Sequence, residues 1–518
     1  MLSAVKEGIR LRRGLLVVML SLLSATMIGW AVVANGGQPS EVHAAAARSL
    51  SPIDLGQRVL VLAPHPDDET LGAGGLIQEV LAHGGQVWVV VATSGESSGV
   101  AASRTLHVHQ PTAADFAELG RIRRGEIRAA SRVFGLPPSH LIFLGYADGS
   151  LRPLWLDAWD CSQPRVSGGT HVARSLLPNG FDPHVAYCAP NLLGDLGRLL
   201  KEIQPDTIIV PDLGDHHPDH AGLADFVWAA VIAYDRARPA SAPEPSVYGY
   251  LIHYPSWPDT WGYHPAGHEL FPADWMGGPL HLVRLALPKA VAARKEEALL
   301  DYHSQLAVSP EFLQSFVRSD ELFTRRPMVL QLGPSWTELG QIRHLGLSVR
   351  MVRAQSGIPW LTAIHQPSGP AASLEARATG ATGNEQIELR LLSADWPADR
   401  LTVRLYAWRV GPSGPDQRME MIWRQGRSLL LRDGLQNGVV PVGRVATWLF
   451  AGAGQPWLVA ADVVEGNREV GWTVWTAVTA AVPVAPVAPV SPAAPVSPAA
   501  PVTPITGGTS PRTPAAPQ

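Results

Sequence analysis

The sequence predicts an α/β fold followed by a strand-rich second domain, and three observations carry that prediction. Short apolar runs alternate with helix-length segments from Gln57 onward. Clusters of imidazole and carboxylate stand directly after two of those runs. From about Pro334 the apolar spacing changes to period two. Strands alternating with helices indicate βαβ units and a mostly parallel sheet.

The elements follow in order. Arg58–Leu62 is a buried strand, and Leu71–Leu81 a helix ended by His83-Gly84-Gly85. Gln86–Val91 is a second buried strand, and Asp115–Phe134 a helix closed by Gly135 and Pro137-Pro138. Leu141–Leu144 is a third strand, Leu192–Ile203 a helix, and Asp206–Val210 a fourth strand. Ala221–Tyr234 and Pro288–Tyr302 are helical, with the strand Val247–Ile252 between them. Further on, Gln386–Leu391 and Leu401–Tyr406 alternate with period two, and Met419–Trp423 and Trp457–Ala461 keep the strand character. The expected architecture is a Rossmann-like, mostly parallel sheet flanked by helices over 51–335, then a β-sandwich-like domain over 340–482. Nothing in the second domain names a ligand.

The ends differ from the body. Lys6, Arg10, Arg12 and Arg13 precede an uncharged stretch, Gly14–Ala34, of about the length that spans a bilayer. Positive charge on that side predicts a single-pass membrane anchor at 1–50 with the remainder outside the cytoplasm. A signal peptide cut near Val42-His43-Ala44-Ala45-Ala46 would instead give a secreted protein. The Pro/Ala/Val/Ser repeat at 483–518 reads as an extended tail. A net charge of −4 with no long basic stripe gives no sign of a nucleic-acid partner. The two cysteines, Cys161 and Cys188, suit one disulfide in an oxidising compartment or two buried thiols, and are too few for a thiolate metal site.

Chemistry concentrates at two strand ends. Ala63-Pro64-His65-Pro66-Asp67-Asp68-Glu69 follows the first strand, and Asp215-His216-His217-Pro218-Asp219-His220 follows the fourth. His65 and Asp68, three residues apart, can aim an imidazole and a carboxylate at one ion, with Asp67 beside it. A third ligand from the second cluster would leave coordination positions open, as in catalytic zinc sites. An isolated Pro-His-Pro-Asp loop would more simply be a turn with a helix-capping Asp, but two such clusters argue for a metal. Asp215 and His216 read as solvated loop residues. Gly72, Gly74 and Gly75 do not make a dinucleotide loop, because Asp67, Asp68 and Glu69 would stand where a pyrophosphate must sit.

With these motifs the sequence resembles the PIG-L/LmbE family of zinc-dependent de-N-acetylases, from about Arg58 to Phe323. Arg123-Arg124-Gly125-Glu126, Leu144-Gly145-Tyr146-Ala147-Asp148-Gly149 and Asp301-Tyr302-His303-Ser304-Gln305 resemble further parts of the family pattern. The resemblance implies that His65, Asp68 and His220 bind Zn2+, that Asp67 is the general base, and that His217 stabilises the oxyanion or acts as general acid. It implies that Arg123 and Asp148 contact the sugar. The implied activity is hydrolysis of the acetamide of an N-acetylglucosamine-type glycan, glycolipid or glycoside.

Two rivals remain in the residues themselves. Two histidines and a carboxylate also form the facial triad of a non-haem iron oxygenase. Alternatively, the chain is a tethered surface protein whose β-domain binds a glycan. The segment Arg152–Pro190, with Trp155 and Trp159, and the stretch from His253 through Trp275 are rich in aromatics that shape a glycan site or pack a core or lid.

Overall fold

The structure, a computed structural model, describes residues 48–480, except 255–256, 259–260, 270–271, 273–279, 354–358, 380–385, 394–400, 425–426, 433–444, 452–454 and 466–467. The segment read as a membrane anchor, Trp275 and the proline-rich tail all lie outside the described residues. Among those described, no helix is long and apolar enough to cross a membrane.

The first half is α/β. Its elements are β1 (Arg48–Ser49), β2 (Arg58–Ala63), α1 (Asp68–Ala82), β3 (Gln86–Thr93), α2 (Gly99–Leu106), α3 (Ala113–Phe134), β4 (Leu141–Tyr146), α4 (Leu151–Asp157), α5 (Ala189–Ile203), β5 (Thr207–Pro211), α6 (Pro218–Arg236), β6 (Ser246–Tyr250), β7 (His281–Ala286), α7 (Lys289–Leu299) and β8 (Asp320–Arg325). Eight strands form one sheet in the order β1-β7-β8-β6-β5-β2-β3-β4. The run from β6 to β4 is parallel throughout, and β8 lies antiparallel to both of its neighbours. β7 and β8 are absent from the sequence reading, because their charged ends and proximity to helical segments hide short strands. The strand expected at Val247–Ile252 ends at Tyr250.

The chain runs β2, β3, β4 outward on one side, then returns to place β5 on the other side of β2. The carboxyl ends of β2 and β5 therefore diverge, and such a switch point is where open α/β sheets bind ligands. Both His/Asp clusters leave the sheet there. The glycines of α1 serve packing: a Cβ on Gly72 would come 2.4 Å from the Tyr250 ring, and one on Gly75 2.5 Å from Leu287.

The second half is all-β. A four-stranded sheet comprises β10 (Thr337–Arg353), β11 (Pro359–Thr379), β12 (Gln386–Ser393) and β16 (Val445–Ala451). A seven-stranded sheet is built on β13 (Leu401–Gly411), β14 (Gly414–Arg424) and β17 (Trp457–Glu465). It also holds β9 (Leu330–Leu332), β15 (Arg427–Arg432), β18 (Arg468–Trp472) and β19 (Thr476–Ala480). Leu374, Ile387 and Leu389 of the first sheet share a core with Val403, Leu405 and Val459 of the second.

β13 departs from the expected half-polar strand. Val403, Leu405 and Ala407 face the sandwich core, while Tyr406, Trp408 and Val410 face the α/β half. There Trp408 and Trp475 meet Trp155 of α4 at ring separations of 4.8 and 5.4 Å, and Phe226 of α6 meets Trp155 at 5.0 Å. Of the two uses open to Trp155, packing is the one observed; it is fully buried. Arg418 lies 4.4 Å over the Trp159 ring on the same seam. Cys161 and Cys188 are disulfide-bonded with Cα atoms 5.2 Å apart, closing the loop that follows α4.

A core shared across the two halves couples their stability. Trp155→Ala should lower stability by about 3–5 kcal/mol and leave a single calorimetric transition. Two separate transitions in the wild-type chain would contradict a common core.

Candidate metal centre

Pro64 to Asp67 forms the turn from β2 into α1. Asp67 occupies the N-cap position, yet its carboxylate makes no capping bond, so the simple turn role fails. Its backbone is held at φ 152°, a conformation that costs a non-glycine residue about 1–3 kcal/mol and collects at functional sites. Arg123 on α3 grips Asp67 Oδ1 at 3.1 Å and donates to the carbonyls of Gly95 and Pro66 at 2.9 and 3.1 Å. Three residues along, Glu126 accepts from the amide and hydroxyl of Ser304 at 2.7 and 2.6 Å. The Arg-x-x-Glu pair thus anchors the Asp67 turn on one side and the Tyr302–Gln305 segment on the other. Tyr302 in turn bonds the buried Glu69 carboxylate and lies 2.9 Å from Thr70 Oγ1.

The second cluster is the turn from β5 into α6. His217 caps α6, its Nδ1 accepting the Asp219 amide at 3.2 Å, which leaves the proton on Nε2 in the neutral ring. His220, one turn into the helix, is fully buried.

The two turns converge. Asp68 Oδ2 lies 3.1 Å from His65 Nδ1 and 3.2 Å from His220 Nε2. His217 stands with its ring 4.9 Å from that of His65 and 5.0 Å from that of His220. Asp148 Oδ1 is 3.1 Å from His65 Nε2, so this residue touches the cluster itself, as Arg123 does through Asp67.

Three sets of donor atoms lie within 4.8 Å of one another among the described residues: His65–His217–His220, Asp68–His220–His253 and His65–Asp148–Asp219. The expected trio His65, Asp68 and His220 is not one of these sets as a whole, although Asp68 touches both rings. This donor set fits a zinc ion. His220 Nε2 is buried with no hydrogen-bond partner, facing a carboxylate oxygen that already accepts from the His65 amide. A cation at that point would satisfy both.

Three residues were misread or missed. Asp215, expected in solvent, is fully buried; it lies 3.2 Å from His220 Nδ1 and accepts the amides of His217, Ile252 and His253. Asp219 binds the amides of Gly149 and Leu151 at 2.6 and 2.8 Å and approaches His65 Nε2 at 3.2 Å. Only their place inside the Asp-His-His-Pro-Asp-His run could have signalled either. His253 read as part of an aromatic stretch. Its ring sits 5.1 Å from His217 and 4.8 Å from His220, and stacks on Phe312.

Burial and neighbouring charge compete in the cluster. Burial pushes the Asp67 carboxyl up to about 7 against the opposing pull of Arg123, and Glu69 to about 7 as well. Burial and the nearby charges of His65 and His220 bring His217 down to about 4. For His220, burial acts downward, but Asp215 and Asp68 outweigh it and raise the ring to about 10. His65 is likewise held above its ordinary value by Asp148, Asp219 and Asp68 despite burial. Without metal, these shifts favour protonated His65 and His220 beside ionised Asp68 and Asp215.

A buried imidazole–carboxylate cluster at the switch point of a parallel sheet defines the class: an α/β protein with a candidate metal site. Residues 60–231 match the family model described as GlcNAc-PI de-N-acetylase, PIG-L. A 1D-myo-inositol 2-acetamido-2-deoxy-alpha-D-glucopyranoside deacetylase of Actinosynnema mirum is 34% identical over 178 residues, 34% of this chain and 55% of its own. The Tsukamurella paurometabola protein of the same description is 27% identical over 271 residues, 49% and 84% of the two chains. The first matched relatives are spanned over 56%, 58% and 55% of their length, so the chain covers little more than half of each. Among solved structures, N,N'-diacetylchitobiose deacetylase from Pyrococcus horikoshii is 20% identical with a TM-score of 0.33, covering 52% of this chain and 84% of that one.

Metal ligands must be neutral imidazoles. Because His65 and His220 hold protons in the metal-free protein, zinc uptake at neutral pH should expel at least one proton per ion, and affinity should fall as pH falls below about 10. Calorimetry in two buffers of different ionisation enthalpy reads this directly; no proton release would contradict the arrangement. Asp215→Asn should weaken zinc binding about 10–100-fold, the usual cost of losing a carboxylate behind a histidine ligand. An unchanged affinity would remove Asp215 from that role.

Proposed function

We propose that this chain is a zinc-dependent N-deacetylase acting outside the cytoplasm on N-acetylglucosamine-type sugars. The observation that carries the reading is the meeting of His65, Asp68 and His220 at the switch point, with Asp67 held beside them by Arg123. The match of residues 60–231 supports the reaction class. The Cys161–Cys188 disulfide supports an oxidising compartment, in keeping with the apolar N-terminal segment.

His65, Asp68 and His220 would hold the ion. When bound, zinc polarises the acetamide carbonyl and lowers the pKa of water toward 7. Arg123 occupies Asp67 Oδ1 and fixes the carboxylate, whose elevated pKa suits a group that takes a proton near neutrality. Asp67 accepts the proton of the attacking water as oxygen bonds to the acetamide carbon. The same proton passes to the nitrogen as the carbon–nitrogen bond breaks, giving acetate and an amine.

Of the two roles open to His217, its lowered pKa of about 4 favours the neutral ring that stabilises the oxyanion. Its Nδ1 is committed to the Asp219 amide, and its Nε2–H donates to the developing oxyanion.

The test is acetate release by the full chain from N-acetylglucosamine, its glycosides, chitooligosaccharides and N-acetylglucosaminyl lipids, with zinc and after chelation. Zinc-dependent release on any of them is expected. Oxygen uptake by iron-loaded protein without acetate release would favour the oxygenase. Asp67→Asn should retain zinc and lose about 10²–10⁴-fold in kcat, the range for loss of a general base; near-normal turnover would reject that assignment.

A further inference from the structure

A cavity lies beside the His/Asp cluster, one side chain away from it. It measures about 360 Å³ and opens at the carboxyl ends of β3 and β4, between the first turns of α3 and the loop closed by the Cys161–Cys188 disulfide. That volume is at the lower end for small-molecule sites. The loop supplies Thr170, Leu177 and Tyr187 to one wall; α3 and the end of β3 supply Arg124, Glu96 and Ser94 to the other. The long segment 152–190, unexplained by the metal chemistry, thus has a place in the fold.

The polar groups of this cavity are underused. The Arg124 guanidinium has five N–H donors, but its one hydrogen bond goes to Ser94 Oγ at 2.6 Å, and it makes no ion pair among the described residues. Its neighbour Arg121, by contrast, is committed to Glu118 at 2.7 Å. Thr170 Oγ1 and Glu96 Oε2 are buried without hydrogen-bond partners. The Tyr187 hydroxyl also has none among the described residues, although the residue is 3% exposed. Buried polar atoms are normally satisfied, so several together mark a place where a ligand or water completes them.

The mixture of groups selects the ligand. A guanidinium, a carboxylate and two hydroxyls on one cavity offer donors and acceptors in comparable number, with no single charge sign. A free anion would meet Glu96 as well as Arg124. A ring carrying several hydroxyls meets both: its O–H groups donate to Glu96, and its oxygens accept from Arg124 and Thr170. Leu177 and the ring of Tyr187 suit its C–H faces.

We propose that this cavity binds a hydroxylated ring, either the sugar residue next to the acetamide sugar or a free sugar. It adjoins the metal centre through one side chain. Glu96 Oε1 accepts the Asp148 amide at 3.0 Å, and the Asp148 carboxylate contacts His65. Occupancy of the cavity is thereby linked to the position of Asp148. The adjacent-sugar form rests on the deacetylase reading; binding of a free ring does not.

The experiment uses the full chain carrying Asp67→Asn, with and without Arg124→Ala or Thr170→Val, two substitutions on opposite walls. Calorimetric titration with N-acetylglucosamine, its β-1,4-linked disaccharide and glucose gives three affinities for each protein. If the neighbouring sugar fills the cavity, the disaccharide binds at least tenfold more tightly than the monosaccharide, and either substitution removes that advantage. If a free sugar fills it, glucose binds and is lost in both variants while the disaccharide gains nothing. Affinities unchanged by both substitutions, or no binding of any of the three, would overturn the proposal. Absence of acetate release from wild-type protein would reject the deacetylase reading alone, since these titrations do not depend on turnover.

Discussion

The reversal of strand order at β2 governs this molecule. With β3 and β4 laid on one side of β2 and β5 on the other, the two turns at the carboxyl ends of β2 and β5 face each other across a gap. Neither turn binds a cation well alone, since each offers only part of a donor set. Together they bring Asp68 within 3.2 Å of two imidazoles contributed by segments more than 150 residues apart in sequence. The cost is a concentration of buried charge, and much of the surrounding structure answers that cost. Asp215 receives three backbone amides, Asp219 two, and Asp68 the His65 amide. Carboxylates satisfied in this way can remain ionised away from water.

Asp67 and Asp68 show how adjacent residues acquire different chemistry from their surroundings. Asp68 sits between His65 and His220, which hold its carboxyl well below the usual range despite burial. Asp67 is equally buried but faces one guanidinium and the charges of Asp68 and Glu69, and its carboxyl rises to about 7. A ligand must stay ionised, whereas a base must exchange protons near neutrality. The φ of 152° at Asp67 turns its carboxylate toward Arg123 and away from the helix end it would otherwise cap.

Much of this was legible in the sequence because strand-end clusters are local signals. The turns from β2 and β5, the helices that follow them and the period-two strands all announce themselves within ten residues. Asp215, Asp219 and His253 were harder, since their roles depend on what lies opposite them in space: Asp215 becomes a buried partner only when His253 arrives after β6. Trp155 failed as a sequence signal for the same reason. An aromatic in a long insertion is equally suited to a sugar or a core until Trp408 and Trp475, some 250 and 320 residues onward, are seen against it. β7 and β8 carry Arg284 and Asp320, an ion pair across strands whose charges interrupt the apolar runs that mark the other strands.

The β half then bears on the His/Asp cluster through α6. This helix begins with His217 and His220 at the cluster and continues to Phe226, which packs on Trp155 beneath Trp408. Gly222 lies between these two regions, and a Cβ there would come 2.3 Å from the Arg152 amide, so the helix cannot shift toward α4 without a clash. Trp472 of β18 adds a second contact: its ring lies 5.6 Å from that of His216, the residue before His217, and Arg152 lies 4.6 Å over it. A mobile sugar-binding module on a linker would leave the turn that carries His217 to its own resources. Here the sandwich backs both the helix and the turn, so close packing with low compressibility extends from the β13 face to the histidines. The β half is in this sense part of the structure that fixes the candidate ligands, and its contribution is geometric whether or not any ligand ever touches it.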